Sequence, residues 1–290
     1  MWRINRVSEV LGAWLRVRGV IRNDAPNFTE KTAHPCAVKD RIKQFQNMSH
    51  LENIKSYIFI DETKFNTLNN DIDNSLYYFG IIVPKEIITK IETDFLNLIN
   101  HSHKGFHAKD EYKEKNVNSD LMKAMTDLII NNKLICLAFK YDKDFLYEKT
   151  KILKRLNFEV NRLNNHEFQA LFWFIQVVEF YFNTKLIEKI NFPLLAFFDR
   201  GVYGINEIEG KQLDSKYIEQ MLFVKRNKIK LLSLPDHFGY IFRKCRSKNR
   251  NDLNTKLNNS IYVQELIRIT NNYLFYYLDF DEYLKGKYNF

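Results

Sequence analysis

The sequence contains few cysteines, glycines and prolines, and each scarcity excludes a class of protein. Its three cysteines, at positions 36, 136 and 245, are isolated from one another. Neither a disulfide framework nor a zinc site is therefore predicted, and unpaired cysteines favour a cytoplasmic protein. Only nine glycines and five prolines occur in 290 residues, which favours a compact fold with long helices and strands.

Several sequence signatures of common protein classes are absent. Neither GxGxxG nor a P-loop occurs, which disfavours dinucleotide enzymes and P-loop NTPases. No Gly-x-Ser-x-Gly elbow supports a serine hydrolase. The longest apolar run, residues 171–182, is interrupted by Gln176 and Glu179 and is shorter than the ~20 residues of a membrane helix. We therefore predict no membrane partner.

The charge balance is mildly basic and favours polyanionic partners. The net charge is +9, and Lys and Arg side chains can neutralise phosphates. Residues 1–47 contain 9 Lys and Arg against 4 Asp and Glu, and residues 48–290 contain 35 against 31. The first segment is rich in arginine, whereas the body is rich in Lys, Asn and Ile. We interpret residues 1–47 as an N-terminal extension that is non-native or loosely ordered.

Hydrophobic patterning predicts an α/β fold over residues 48–290. Five apolar runs typical of buried strands occur at residues 57–60, 77–83, 134–141, 192–198 and 229–234. Helical periodicity covers residues 85–100, 120–130, 165–183, 214–224 and 261–277. The first two strands are expected to pair antiparallel. This order indicates one mixed five-stranded sheet with helices on both faces and a C-terminal helical cap.

Three aspartates occupy places where such folds collect functional groups. Asp61 and Asp199 each follow a predicted strand, and Asp236 begins the helix after the fifth strand. Strand ends meet at one crevice of an α/β sheet. Converging carboxylates repel unless a cation lies among them, and their hard oxygens suit Mg²⁺ or Mn²⁺. A metal-dependent hydrolysis of phosphodiesters is therefore expected. Each aspartate alone is better explained as a turn or helix cap, and only the shared placement of all three favours a functional role.

The order of several motifs resembles a bacterial domain-of-unknown-function family, number thirty-eight hundred. The resemblance covers roughly residues 57–243. The segments that carry it are Tyr57–Pro84 with its acidic pair Asp61-Glu62, Gly105-Phe106-His107-Ala108-Lys109, Phe197-Phe198-Asp199-Arg200 and Leu234-Pro235-Asp236-His237-Phe238-Gly239-Tyr240.

The resemblance implies an RNase H-like fold with a carboxylate cluster that binds metal. Asp61 would bridge two ions, Asp199 and Asp236 would each hold one, and Glu62 would be a fourth carboxylate. Two departures are consistent with a divergent or an inactive copy: Thr63-Lys64 replaces the family's usual Ser-Gly, and Ser233 replaces its usual Gln.

Other residues are candidates for proton transfer and for binding nucleic acid. His107 is a candidate for proton transfer or substrate positioning, because imidazole titrates near neutral pH. A basic run with interleaved aromatic residues follows Asp236 and could track a phosphate backbone. The predicted nucleic-acid contacts are Lys109, Arg200, Arg243, Lys244 and Arg246, and Lys225, Arg226, Lys228 and Lys230 would extend the same surface.

Three functional hypotheses follow from the sequence. The first is a Mg²⁺- or Mn²⁺-dependent nuclease that acts on DNA or RNA. The second is a catalytically inactive RNase H-like module that binds nucleic acid or serves in assembly, which the two departures from the family pattern motivate. The third is a hydrolase of nucleotides or other small phosphorylated molecules. Loss of turnover after Asp61→Ala or Asp199→Ala would separate the first from the second.

Overall fold

The computed structural model describes ten stretches of the chain. They are residues 53–64, 76–99, 106–112, 118–141, 166–199, 210–212, 215–224, 226, 228–246 and 260–288. The extension predicted at residues 1–47 lies outside them, and so does Arg200. For Arg246 only the backbone is described.

A mixed sheet of seven strands forms the centre of the described residues. The strands in chain order are β1 Ser56–Lys64, β2 Leu76–Pro84, β3 Ile135–Tyr141, β4 Leu194–Asp199, β5 Gly210–Gln212, β6 Ile218–Val224 and β7 Phe275–Leu278. Their order across the sheet is β5-β6-β4-β1-β2-β3-β7. Strand β1 pairs antiparallel with β2 and parallel with β4. The predicted mixed α/β architecture and the antiparallel first pair are confirmed.

Helices cover both faces of this sheet, as predicted. The helices are α1 Ile88–Leu98, α2 Ala108–Glu111, α3 Ser119–Asn131, α4 His166–Asn183, α5 Ser233–Arg246, α6 Ile261–Asn271 and α7 Phe280–Tyr288, with 3₁₀ turns at Lys85–Ile87 and Lys230–Leu232. Helices α1, α3, α5 and α6 bury residues in one core. Helices α4 and α7 bury residues in a second core on the opposite face.

The alternation of side chains along β1 explains the two cores. Tyr57 and Phe59 belong to the core under α5, whereas Ile58 and Ile60 belong to the core under α4. Successive strand residues point to opposite faces, so a strand between two helix layers needs apolar residues at every position. The continuous apolar run that predicted β1 has this cause.

Two predictions in the region 214–234 are wrong. The segment predicted as a helix at 214–224 contains strand β6, Ile218–Val224, which pairs parallel with β4. Periodicity does not separate a short apolar strand from a helix, and β6 is buried on both faces. The segment predicted as a fifth strand at 229–234 instead contains the 3₁₀ turn at Lys230–Leu232 and the start of α5.

The sheet also has more strands than the five predicted. The helix predicted over residues 261–277 ends at Asn271, and β7 then pairs parallel with β3. Tyr273 has a φ of 57°, a left-handed conformation that ends a helix. The three-residue strand β5 pairs antiparallel with β6. Strands as short as β5 and β7 depend on their neighbours rather than on local propensity.

Candidate active site

Strand alternation and sheet topology place three aspartates at one end of the sheet. Asp61 and Asp199 directly follow Ile60 and Phe198, which are paired on the adjacent parallel strands β1 and β4. Both aspartates continue the row of side chains on the face that α5 covers, because Phe59 and Phe197, two residues earlier, belong to that core. Asp236 lies in the first turn of α5.

The guanidinium of Arg226 joins the three aspartates. Its Nη2 lies 2.8 Å from Oδ1 of Asp61, its Nε lies 3.1 Å from Oδ2 of Asp199, and its Nη1 lies 2.9 Å from Oδ2 of Asp236. Each nitrogen thus donates to a different carboxylate, which the planar fork of a guanidinium permits. The structure therefore brings together the three acids that the sequence singled out, and it places a cationic side chain between them.

Burial disfavours the ionised forms of the acids in and next to this cluster. Burial is the largest cause that raises the pKa of Asp61 to about 8, the carboxylates of Asp236 and Asp199 contribute to this rise, and Arg226 opposes it. Burial and the carboxylate of Asp61 raise the pKa of Glu62 to about 9. Desolvation acts to lower the pKa of Arg226, but the three aspartates outweigh it and raise that pKa above its ordinary value. A cation near these acids stabilises their charged forms.

Glu62 lies on the other face of the sheet from the three aspartates. It continues the row of Ile58 and Ile60, which face the core under α4. The described hydrogen bonds of Arg226 go to the three aspartates. The predicted role of Glu62 as a fourth carboxylate of the same cluster is therefore not supported by its position, although its charge still acts on the cluster.

Asp236 receives two further contacts from the segment 106–112. The backbone N–H of Ala108 donates to Oδ2 of Asp236 at 2.9 Å. Nδ1 of His107 lies 3.4 Å from the same oxygen, and 52% of the His107 side chain is exposed. His107 is therefore next to the cluster and open to solvent. Lys109 follows on the short helix α2 and is exposed.

One face of α5 holds the segment 106–112 in place. Oγ of Ser233 donates to the carbonyl of Phe106 at 3.1 Å, and the hydroxyl of Tyr240 donates to the carbonyl of Tyr112 at 3.0 Å. Between them, Nδ1 of His237 lies 2.8 Å from the hydroxyl of Tyr112. The spacing of four and three residues puts Ser233, His237 and Tyr240 on one side of the helix. Burial lowers the pKa of His237 to about 3, so its imidazole is neutral.

Removing one hydroxyl should loosen this segment. In Tyr112→Phe the Nδ1 atom of the buried His237 loses its hydrogen-bond partner, which costs about 1–3 kcal/mol. We expect hydrogen exchange of the Ala108 amide to accelerate by about tenfold or more, while amides in the middle of α5 stay protected. The control is Tyr181→Phe, which removes a hydroxyl bonded to Glu282 on the opposite face. Unchanged exchange at Ala108 would show that the segment is held by other contacts.

The predicted nucleic-acid contacts lie partly beside the cluster. Arg243 and Lys244 are half-buried, and their charged groups lie 5.3 and 5.5 Å from the centre of the Tyr240 ring. Arg243 follows Asp236 by seven positions on α5, which corresponds to ~10 Å along the axis. Lys109 follows His107 by two positions on α2, so these three cations lie on the two helices next to His107 and Asp236. The side chains of Arg200 and Arg246 lie outside the described residues.

Arg226 is the site residue whose role the sequence did not reveal. The sequence assigned it to a basic surface, yet only 20% of its side chain is exposed. It follows the end of β6 by two residues, and β6 lies beside β4. Since the segment was predicted as a helix, its position at a strand end was missed. Recognising Ile218–Val224 as a strand would have placed Arg226 at the same sheet end as Asp199.

Stability should depend on pH through the buried acids. In the folded chain the pKa of Asp61 is about 8 and that of Glu62 is about 9, whereas the unfolded values are 3.8 and 4.5. Between these values the folded chain holds protons that the unfolded chain releases. The stabilisation is fully present below about pH 4 and is lost as the pH rises to about 9. Urea unfolding of the metal-free protein should therefore give a free energy of unfolding that falls over this range. In Asp61→Asn the decline should be shallower, and an equal decline in this variant would contradict the assignment.

Among the described residues, no group of three or more His, Cys, Asp or Glu side chains is spaced to hold a metal ion as it stands. The three aspartates are spaced instead by the guanidinium between them.

No helix of the described residues is long and apolar enough to cross a membrane. No family model matches the sequence, and the searches of curated proteins and of solved structures return no match.

Proposed function

We propose that this chain is an RNase H-like, divalent-metal-dependent phosphodiester hydrolase that acts on DNA or RNA. The observation that carries the proposal is the convergence of Asp61, Asp199 and Asp236 on a single cation, at distances of 2.8 to 3.1 Å. These residues come from two strands and a helix that are far apart in sequence. Such a cluster is costly to assemble unless cationic charge is part of its function.

The arrangement of the central strands supports the fold named in the proposal. An antiparallel meander, β1-β2-β3, continues on its other side into the parallel strands β4 and β6. The acids lie where β1 and β4 approach the start of α5. In α/β sheets, this is the region in which functional groups accumulate.

The donor set fits Mg²⁺ or Mn²⁺ in kind and in charge. All three side chains offer hard carboxylate oxygens. The single positive charge of Arg226 does not balance three ionised aspartates. Asp61, Asp199 and Asp236 are the residues that would hold the ions, once the guanidinium has moved from between them. When bound, the ions would activate water and stabilise the leaving oxygen of a phosphodiester.

The remaining side chains have separable tasks in this proposal. His107, exposed and 3.4 Å from Asp236, can pass a proton between solvent and the reacting oxygens. The Ala108 N–H fixes one oxygen of Asp236 and so holds that carboxylate in one orientation. Arg243, Lys244 and Lys109 would contact phosphates of the strand on either side of the scissile bond.

A second candidate function is favoured by Arg226 itself. A guanidinium that permanently occupies the centre of the cluster would make the chain an inactive RNase H-like module that binds nucleic acid or serves in assembly. Its three charge-assisted hydrogen bonds satisfy one oxygen of each aspartate. Under this alternative, nucleic-acid binding would be salt-sensitive and would survive the loss of Asp61.

The test is a cleavage assay with chemically distinct substrates. Labelled single- and double-stranded DNA and RNA, and a mixture of mononucleotides, are incubated with the full chain in Mg²⁺, in Mn²⁺ and in EDTA. We expect cleavage of a polymer that requires the metal and disappears with EDTA. Binding without cleavage in either metal would establish the inactive module, and turnover of mononucleotides alone would indicate a small-molecule phosphohydrolase.

The proton-transfer role of His107 can be tested separately from metal binding. We expect His107→Gln to lower turnover by about 10²-fold or more and to leave the affinity for Mn²⁺ close to that of the unmodified chain. The control is Lys90→Gln, which alters an exposed cation on α1 and should retain full turnover. Full turnover in His107→Gln would remove His107 from the mechanism without affecting the proposed role of the aspartates.

A further inference from the structure

Arg226 combines two properties that a permanent structural cation does not need. Each of its three bonded nitrogens contacts a different aspartate, and one fifth of its side chain is open to solvent. Its backbone lies in a turn between β6 and the 3₁₀ turn at Lys230–Leu232, outside any helix or strand. The guanidinium can therefore leave the cluster by rotation of its own side chain, without disrupting a ladder of backbone hydrogen bonds.

We propose that Arg226 is a displaceable counter-ion of the carboxylate cluster. Divalent cations and the guanidinium compete for the same oxygens of Asp61, Asp199 and Asp236, and the displaced guanidinium then binds a phosphate of the substrate. This inference rests on the proposed function, because it concerns how the same cluster is loaded. Arg226 would therefore bind the three aspartates in the metal-free protein and a substrate phosphate in the metal-loaded protein.

Electrostatics requires this competition. Three carboxylates that converge without a cation repel one another, and unpaired buried charges destabilise a fold strongly. Arg226 keeps the cluster assembled when no metal is bound. Once a divalent ion is bound, the guanidinium and the ion repel each other at contact distance, since Coulomb energies of this size are large where solvent is scarce. Both cannot occupy the centre of the cluster.

The second position follows from the chemistry of the guanidinium. A released arginine beside a metal-loaded site needs an anion, and its planar fork matches phosphate oxygens in a bidentate manner. The scissile phosphate of a bound strand is the anion nearest to the cluster in the proposed reaction. Arg226 would then contact the charge that develops on that phosphate, whereas Arg243 and Lys244 lie farther along α5.

The inference predicts effects of opposite sign on two ligands. In Arg226→Gln we expect the affinity for Mn²⁺, measured by isothermal titration calorimetry on metal-free protein, to rise by about tenfold or more, because a competing cation has been removed. In the same variant we expect the affinity for a cleavage-resistant phosphorothioate oligonucleotide, measured by fluorescence anisotropy in saturating Mn²⁺, to fall by about tenfold. A residue that only supports the fold would lower both affinities.

Two further variants keep the experiment decisive. Arg226→Lys retains the charge but cannot bond three carboxylates at once, so we expect an intermediate gain in Mn²⁺ affinity, and it serves if the glutamine variant does not fold. Arg268→Gln is the matched control, because Arg268 also bridges two acids, Asp127 and Glu265, on helices away from the cluster. We expect this control to leave both affinities unchanged.

The possible failures are distinguishable. If the unmodified chain cleaves a polymer with metal but Arg226→Gln and Arg226→Lys bind Mn²⁺ no more tightly, the counter-ion inference is wrong and the proposed function stands. If neither the unmodified chain nor the two variants bind Mn²⁺, both the inference and the metal-dependent function fail. Tighter Mn²⁺ binding without weaker oligonucleotide binding would overturn the second position assigned to the guanidinium.

Discussion

Asp61→Asn is expected to abolish metal-dependent cleavage while it leaves the fold intact. The substitution keeps the shape of the side chain and removes the most buried charge of the cluster, since Asp61 is 3% exposed. Loss of one group that stabilises charge in a transition state lowers turnover by about 10²- to 10³-fold, and loss of a proposed metal ligand should reach at least the upper end of this range. Turnover under saturating Mn²⁺ is the measurement.

Stability should move in the opposite direction from activity in this variant. The raised pKa of Asp61 means that its ionised form destabilises the metal-free fold near pH 8. Urea unfolding of Asp61→Asn at that pH should therefore give a free energy of unfolding equal to or above that of the unmodified chain. A variant that loses activity because it unfolds would show the reverse.

The control for Asp61→Asn is an aspartate with a comparable ion pair away from the cluster. Asp127 lies on α3 and pairs with Arg268, and its side chain is 47% exposed. We expect Asp127→Asn to retain full turnover and to change stability by less than about 1 kcal/mol, as exposed ion pairs do. Equal activity in Asp61→Asn and Asp127→Asn would remove Asp61 from the mechanism and with it the proposed nuclease function.

Phe79→Ala is expected to be among the most destabilising single changes in the described core. Phe79 lies on the interior strand β2, is fully buried, and contacts the rings of Phe238 and Phe242 on α5 at centroid distances of 5.7 and 5.5 Å. Truncating a buried phenylalanine to alanine costs about 3–5 kcal/mol. Urea unfolding should show this loss, and the cluster should loosen, because the same packing holds α5 and its Asp236 against the sheet.

Gly239 provides the matching test from the other side of this contact. A Cβ atom at Gly239 would lie 2.5 Å from Cδ2 of Phe79, so Gly239→Ala should overpack the core at a cost of about 1–3 kcal/mol. Combined with Phe79→Ala, the same substitution should cost much less, since the space is then free. Additive losses in the double variant would show that the two residues do not share this contact.

The comparison control is Gly286 on α7. A Cβ there would also lie 2.5 Å from a ring atom, but the atom is Cζ at the far end of the half-buried Phe180. This ring end can move toward solvent. In a helix, alanine is also more stable than glycine by about 1 kcal/mol. We expect Gly286→Ala to be neutral or mildly stabilising, in contrast to Gly239→Ala.

Local patterning was sufficient for strands that are buried on both faces and for helices with one clear apolar face. The continuous apolar runs of β1, β2 and β4, and the helical spacing of α1 and α3, identify those elements without knowledge of their neighbours. The position of Asp61 and Asp199 at one sheet end follows from the same runs. The metal-binding role of these residues stays a prediction.

Patterning was insufficient where an element is short or is defined by its partner. The apolar pattern of residues 218–224 fits a short helix as well as a strand, and only the pairing with β4 makes this segment a strand. Strand β7 is four residues long and depends on the edge of β3. In both cases the backbone hydrogen bonds are made to residues distant in the sequence, so local periodicity does not predict them.

The sequence by itself determined that Asp61 and Asp199 end neighbouring buried strands on one face, because strand alternation assigns each residue of such a strand to a face. The tertiary structure added Asp236 from the first turn of α5. Only the tertiary structure decided what lies between the three acids. Arg226 reaches the cluster from a turn, and its three partners are separated from it by 10 to 165 positions along the chain. A contact made through one flexible side chain leaves no periodic signal, so its presence depends on the folded geometry alone.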